Sequence, residues 1–369
     1  MFLIFNTAFF SSVRWAILSL ICEAVPKVMK AKSNATGVCF RFLFLRISVV
    51  KTRLACSPKR RLLSMNTRIR GVLAPVLTPF KKNLEPDVQR FISHCRWLID
   101  KQAGLAIFGT NSEAASMSVN ERLSLTDALL EAGIPASRMM PGTGGCAISE
   151  AVTLTRHAVS NGAAGALMVP PFYYKGVSDD GLFAYYAEVI EQVADPRLKI
   201  YLYHIPQFTQ VPISLNLIEK LRKRYPNTVV GAKDSSGDWA NTQSMIDNFA
   251  KDGFDVFPAS ESLLTKGMQI GAAGCISATV NMNPAAIHAV YEGWNSPQGA
   301  QLQASVDVVR KIFQSVPMIP AMKDTVAEAC GHDEWRMVRP PLTMLDNTTA
   351  RSTRQALADA DFSMPGYPT

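Results

Sequence analysis

Between Arg68 and Trp294 the sequence alternates short apolar runs with segments of helical spacing, eight times over. The apolar runs are Val72 to Val76, Leu105 to Phe108, a weaker one at Arg138 to Pro141, Gly165 to Val169, and Lys199 to Tyr203. They continue with Thr228 to Val230 (leading into Lys233), Phe254 to Phe257, and Gly274 to Ser277. Such runs read as strands buried on both faces. Behind the first, Pro86 opens a helix with Val88, Phe91, Ile92, Cys95 and Leu98 on one face. Ser118 with Glu121 three residues on has the pattern of a capping box for a helix to about Ala132. Asp238 is placed to cap a helix from Trp239 to Phe249. Further helices are expected at Ser149 to Asn161, Asp179 to Val193, Leu215 to Arg224, Glu261 to Ile270 and Pro284 to Trp294. Strands and helices alternating in this way argue for a (β/α)8 TIM barrel, which closes over 67–297, near the roughly 250 residues such a barrel needs. Residues 298–369 read as additional C-terminal helices, interrupted at Arg339-Pro340-Pro341.

The charge distribution removes one class of function. The chain of 369 residues carries a formal charge of +8. Residues 1–66 hold eleven Lys/Arg and a single acid, Glu23, so this leader carries +10 and the remainder −2. A basic face for nucleic acid is not supported. No apolar run of the leader reaches the ~18 to 20 residues of a spanning helix, and a membrane role is not expected. An acid-poor, Arg-containing leader suits an organelle transit peptide. It also suits an upstream extension without native fold, with translation starting at Met65, the reading that the late onset of globular patterning favours. The seven cysteines are scattered, with no C-x-x-C, and the five histidines do not cluster. Neither a disulfide framework nor a metal site is suggested, and a cytoplasmic, reducing setting fits.

In a βα barrel, catalytic groups gather at the carboxyl ends of the strands. Lys233, in Gly231-Ala232-Lys233-Asp234-Ser235-Ser236-Gly237-Asp238, falls at such an end. A partly desolvated lysine there can attack a ketone and form a Schiff base; taken alone, a surface lysine is the more common case. Tyr203 ends the preceding strand, where a phenol can move protons beside Lys233, although a structural tyrosine explains it equally. Gly109-Thr110-Asn111-Ser112-Glu113 supplies N–H groups, a hydroxyl and an amide able to hold a carboxylate, or is an ordinary polar turn, with Glu113 a cap or turn partner. Gly142-Thr143-Gly144-Gly145 lacks the lysine of a phosphate loop. His204, beside Ile205-Pro206, reads as structural rather than as an acid/base group.

Six segments in order resemble one family. They are Gly71…Pro75…Leu77-Thr78-Pro79-Phe80, Gly109-Thr110-Asn111-Ser112-Glu113, Pro170-Pro171-Phe172-Tyr173-Tyr174, Tyr203-His204-Ile205-Pro206, Gly231-Ala232-Lys233-Asp234 and Gly271…Gly274-Cys275-Ile276-Ser277. From Gly71 to about Pro297 the chain resembles the dihydrodipicolinate synthase / N-acetylneuraminate lyase family of pyruvate-type class I aldolases. The resemblance implies that Lys233 forms a Schiff base with the C2 ketone of pyruvate or another 2-oxo acid. It implies Tyr203 as proton donor and acceptor and Thr110 as the next member of a relay. A tyrosine from a neighbouring subunit completes that relay: Tyr173, or Tyr174, because the loop is one residue off the common spacing. Asn111 takes the place of the residue, usually Thr, that holds the substrate carboxylate, and Ile276 that of the apolar contact under pyruvate. A homotetramer, built as a dimer of dimers and using no metal or organic cofactor, is implied as well.

Two departures bear on the substrate. Where the synthase proper carries an arginine that pairs with the carboxylate of aspartate semialdehyde, this chain has Phe208, which offers no charge-assisted hydrogen bond. Asn111 replaces a hydroxyl, though an amide still donates to a carboxylate. The expectation is therefore an aldolase or dehydratase acting on a 2-oxo acid or 2-oxo sugar acid. The alternatives are 4-hydroxy-tetrahydrodipicolinate synthase itself, condensing pyruvate with aspartate semialdehyde, and a barrel that binds an oxo acid without chemistry. Lys233, Tyr203 and Thr110 together disfavour the last, since a binder has no need of all three.

Overall fold

The computed structural model describes residues 68–368, so the expectations for the leader and for a start at Met65 lie outside the described residues. Among the described residues seven strands form: β1 (Gly71–Ala74), β2 (Gly104–Leu105), β3 (Ala166–Met168), β4 (Ile200–His204), β5 (Val229–Asp234), β6 (Asp255–Pro258) and β7 (Gly274–Ile276). All pair in parallel, in the orders β2-β1-β7 and β3-β4-β5-β6. Two seams join these sheets into a barrel. At one, Ala273 N–H, just before β7, donates to Val256 O of β6 (2.9 Å).

The other seam is the run expected as a third strand, and it differs from that expectation. Residues Ala136–Arg138 make a 3-10 turn, and only Met139 and Gly142 bridge, singly, to Leu105 and Leu167. Pro141 has no N–H for a ladder. Gly142 sits so close to the β2 turn that a Cβ there would lie 2.1 Å from Phe108 O. Hydrogen bonds still cross on both sides, from Met140 N to Leu105 O (2.8 Å) and from Leu167 N to Pro141 O (2.8 Å), so the eighth position of the barrel is filled.

The helices are α1 (Val88–Asp100), α2 (Val119–Glu131), α3 (Ile148–Ser160), α4 (Asp179–Val193), α5 (Pro206–Thr209) and α6 (Leu215–Arg224). They continue with α7 (Trp239–Phe249), α8 (Leu264–Ile270), α9 (Pro284–Gly293), α10 (Gly299–Gln314), α11 (Met318–Cys330) and α12 (Asn347–Asp359). Ser118 and Glu121 form the full capping box of α2, and Asp238 accepts from Ala240 N to start α7, each satisfying N–H groups the helix itself cannot. Val88 lies in the first turn of α1 and is exposed, while His94 is fully buried on the face that Phe91, Cys95 and Leu98 share. α10, α11 and the segments around α12 extend the same core: Phe313, Met322, Val326, Trp335 and Leu357 pack in one apolar cluster with Phe91 and Leu98. No helix among the described residues is long and apolar enough to cross a membrane.

The interior of the barrel is a separate cluster of inward-facing side chains, including Leu73, Met140, Leu167, Tyr201, Tyr203, Phe257 and Ile276. Residues in register on neighbouring parallel strands point to the same face. Tyr203, Lys233 and Phe257 are in register, and so, one layer down, are Tyr201, Gly231 and Asp255. A Cβ on Gly231 would meet the Tyr201 ring at 2.5 Å, so the glycine makes room for an aromatic in the layer beneath the lysine.

Candidate active site

The orientation of Lys233 depends on an irregularity in β5. Ile200 pairs with Val229, both facing the outer helices, whereas Tyr201 pairs with Gly231. One extra residue, Val230, is thus inserted on β5. With a strict two-residue alternation, Lys233 would share the outward face of Val229, four residues earlier. The bulge shifts the parity and turns Lys233 inward beside Tyr203.

There Lys233 is 3% exposed. Its Nζ donates to the Tyr203 hydroxyl (3.3 Å) and lies 4.4 Å from the centre of the same ring. The Tyr203 hydroxyl is also 3.2 Å from Thr110 Oγ1. Among the described residues no carboxylate forms an ion pair with Lys233, and a lysine buried without a counter-ion is the kind that serves as a nucleophile. The three groups form a chain, amine to phenol to hydroxyl, along which a proton can pass. Asp234 faces away, accepting from Thr242 Oγ1 (2.6 Å), Asn241 Nδ2 (3.0 Å) and Ser236 N (2.9 Å), and so ties the loop after Lys233 to α7.

Thr110 and Asn111 lie in a tight turn that leaves β2. Phe108 and Glu113, at its two ends, have φ of 60° and 57°, a left-handed conformation that costs a bulky residue about 1–3 kcal/mol. Ser112 holds the turn from below: its Oγ donates to Val76 O (2.5 Å), and its own carbonyl accepts from Thr78 Oγ1 (2.9 Å). Glu113, expected as a cap or turn partner, is instead buried, with its carboxylate on Lys323 Nζ and on Arg339 N (2.7 Å). The N–H groups of Thr110 and Asn111 have no acceptor among the described residues, which leaves them and the Asn111 amide available to an oxyanion or carboxylate.

The remaining candidates are more dispersed. Ile276 ends β7, fully buried in the barrel interior. Behind it Ser277 and Thr279 donate to the buried Glu261, whose charge faces Arg310 of α10. Tyr173 and Tyr174 are each 74% exposed and stack edge to face on one another, and neither hydrogen-bonds to Thr110 or Tyr203 within the chain. Phe208, on α5, is 68% exposed. Lys175 Nζ donates to Thr209 O (2.8 Å), linking the tyrosine loop to α5. His204 accepts from Ile213 N at Nδ1 (3.0 Å); burial pushes its imidazole below the ordinary value, with Asp234 pulling the other way, as suits a structural histidine. Among the described residues no group of three or more His, Cys, Asp or Glu could hold a metal.

Sequence reasoning missed the buried ion pairs. Their signal is faint: Lys323 follows the apolar pair Ala321-Met322, and Glu261 stands two residues before Leu263-Leu264. A charge in such a setting needs a buried partner, but nothing local names that partner.

Known proteins resemble the chain over most of its described length. The profile of the dihydrodipicolinate synthetase family matches residues 68–360. An uncharacterized DapA-like lyase of Chloroflexus aurantiacus is 32% identical over 78% of this chain and 95% of its own length. A 4-hydroxy-tetrahydrodipicolinate synthase of Methanococcoides burtonii is 31% identical over 74% of this chain and 91% of its own. The crystal structure of dihydrodipicolinate synthase from Agrobacterium tumefaciens superposes with a TM-score of 0.73 at 28% identity, covering 79% of this chain and 99% of that one. A TIM barrel with Lys233, Tyr203 and Thr110 linked at its mouth, matched along most of its length by these proteins, belongs to the dihydrodipicolinate synthase family of lyases.

Proposed function

We propose that the chain is a class I, Schiff-base lyase that takes pyruvate or another 2-oxo acid on Lys233 and catalyses aldol cleavage or dehydration of a 2-oxo acid or 2-oxo sugar acid. The observation that carries this is the buried amine of Lys233 bonded to the Tyr203 phenol, which is bonded in turn to the Thr110 hydroxyl. The neutral amine adds to the C2 carbonyl to give a carbinolamine. Its hydroxyl leaves as water with the proton of Tyr203, forming the protonated imine. In aldol cleavage the C4 hydroxyl gives up its proton and the C3–C4 electrons flow into the imine, leaving an enamine and an aldehyde; in dehydration loss of a C3 proton gives the enamine, which expels the protonated C4 hydroxyl as water. Thr110 and Tyr173 of the partner subunit return the proton to Tyr203, so the working unit is a dimer or a dimer of dimers. Asn111 and the N–H groups of its turn hold the substrate carboxylate, and Ile276 forms the apolar floor. No metal or organic cofactor enters these steps.

Phe208 supports a substrate other than aspartate semialdehyde, because its exposed ring offers no partner to a second carboxylate. The relative from Methanococcoides burtonii favours a second reading, synthesis of 4-hydroxy-tetrahydrodipicolinate. Borohydride reduction in the presence of pyruvate tests the shared chemistry: an adduct on Lys233 is expected, and none on the Lys233→Ala variant. Trapping elsewhere, or undiminished trapping by Lys233→Ala, would sink the Schiff-base reading. Ready condensation with aspartate semialdehyde would decide for the second.

A further inference from the structure

The structure points to Lys323 and Arg339, in the segment beyond the barrel, as positioning residues. We propose that they clamp Glu113 and thereby hold the Thr110–Asn111 turn in the shape that receives the substrate carboxylate. This rests on the function proposed above.

Glu113 lies three residues after Thr110, in left-handed backbone, and its N–H closes the turn on Thr110 O (3.0 Å). Both of its carboxylate oxygens are used: Oε1 accepts from Lys323 Nζ, and Oε2 from the backbone N–H of Arg339 (2.7 Å). A carboxylate so occupied is not free for acid/base work. The Lys323 and Glu113 side chains are both wholly excluded from solvent. Lys323 Nζ also donates to Met337 O (2.7 Å), and burial pushes its ammonium down to about 8, with Glu113 opposing. The Arg339 guanidinium donates to Ser116 O (2.7 Å), to Leu84 O (2.7 Å) and to Glu121, the capping residue of α2. Lys323 and Arg339 lie over the Phe80 ring, at 4.4 and 4.6 Å from its centre. One cluster thus grips the turn after β2, the loop after β1 and the start of α2.

A buried ion pair contributes little net stability compared with apolar residues of similar size, and its better-attested use is to select one arrangement over others. Here it joins residues 210 positions apart to a turn that already carries two strained residues. A relaxed turn would withdraw the N–H groups of Thr110 and Asn111 from the carboxylate, while Lys233 and Tyr203, on β5 and β4, would stay in place.

The test is the paired variant Glu113→Gln/Lys323→Met, which leaves no lone charge buried. We expect the pyruvate concentration for half-maximal borohydride trapping on Lys233 to rise about tenfold or more, with full trapping still reached at saturation. In the substrate-free protein, amide hydrogen exchange at Ser112, Glu113 and Ala114, whose N–H groups close the turn, should accelerate by about tenfold with β5 unchanged. Arg339→Lys is milder and keeps the backbone donor to Glu113. It should move both readings the same way, and it decides the matter if the paired variant does not fold. A folded variant whose half-saturation and exchange both match the wild type overturns the clamp. If the wild type traps no pyruvate the Schiff-base reading fails, and the exchange measurement still decides whether the clamp holds the turn.

Discussion

Tyr203 stands between two groups that differ in what they lend it. Lys233 offers a donor at 3.3 Å and Thr110 a hydroxyl at 3.2 Å that can give or take a proton. A phenol in this position can protonate the departing carbinolamine oxygen and recover its proton without moving. Substituting Tyr203→Phe keeps the ring beside Lys233 and removes only the proton path. Exchange of the pyruvate methyl protons with deuterated solvent, followed by NMR, reads enamine formation without knowledge of the aldehyde. The variant should exchange roughly 10²–10⁴-fold more slowly, with the pyruvate dependence little altered. An undiminished rate would remove Tyr203 from the relay. Ile276 and Asn111 should act differently, on binding rather than on this rate, because neither touches the amine–phenol–hydroxyl chain.

At the level of single elements, α1 shows how one polar residue can serve as a core residue. His94 is wholly buried between Asn281, whose Oδ1 lies 3.1 Å from its Nε2, and Tyr367, whose hydroxyl lies 3.0 Å from its Nδ1. With both nitrogens engaged, neutral imidazole donates to the amide oxygen and accepts from the phenol. Burial lowers its pKa to about 4, against the weaker upward pull of the Asn281 bond. The unfolded chain binds the proton first as pH falls, from about 6.5, so stability drops between about pH 6.5 and 4, by up to about 3 kcal/mol. Denaturation at pH 7 and pH 4.5 should show a shallower loss for His94→Gln than for the wild type. Parallel losses would mean that other groups carry the acid sensitivity. Asn281 also accepts from Leu77 N (2.9 Å) and donates to Pro75 O (3.0 Å), so the same network steadies the loop after β1.

For the whole molecule, the two exposed tyrosines pose the question of assembly. Tyr173 and Tyr174 project from a loop tied to α5 by Lys175, and their rings are left to water in the single chain. If Tyr173 of the partner subunit completes the relay, each site draws on two chains. Lys233→Ala and Tyr173→Phe variants, each impaired alone, should then complement one another. An equal mixture, dissociated and reassembled, should regain about a quarter of the wild-type methyl-exchange rate, from the one whole site of each hybrid two-fold pair. Mixtures no better than the separate variants would exclude a shared site, and the same experiment with Tyr174→Phe decides between the tyrosines.

The sequence by itself determined the alternation of elements, hence the barrel, and the placing of Lys233, Tyr203 and Thr110 at strand ends, because period and strand order are local properties that survive without contacts. It also marked the helix starts, since Ser118 and Asp238 act on N–H groups two or three residues away. The third strand was legible only as a weak run, and Pro141 and Gly142 reduce it to two bridges. Only the tertiary structure decided which way Lys233 points. Alternation counted from Val229 would turn it outward, and the inserted Val230 is visible only against the neighbouring strand. It alone decided that Glu113 meets Lys323 and Arg339, more than two hundred residues away, since a buried charge announces that it needs a partner but not which one. Chain order sets what lies along a strand, and pairing across strands sets what faces the substrate.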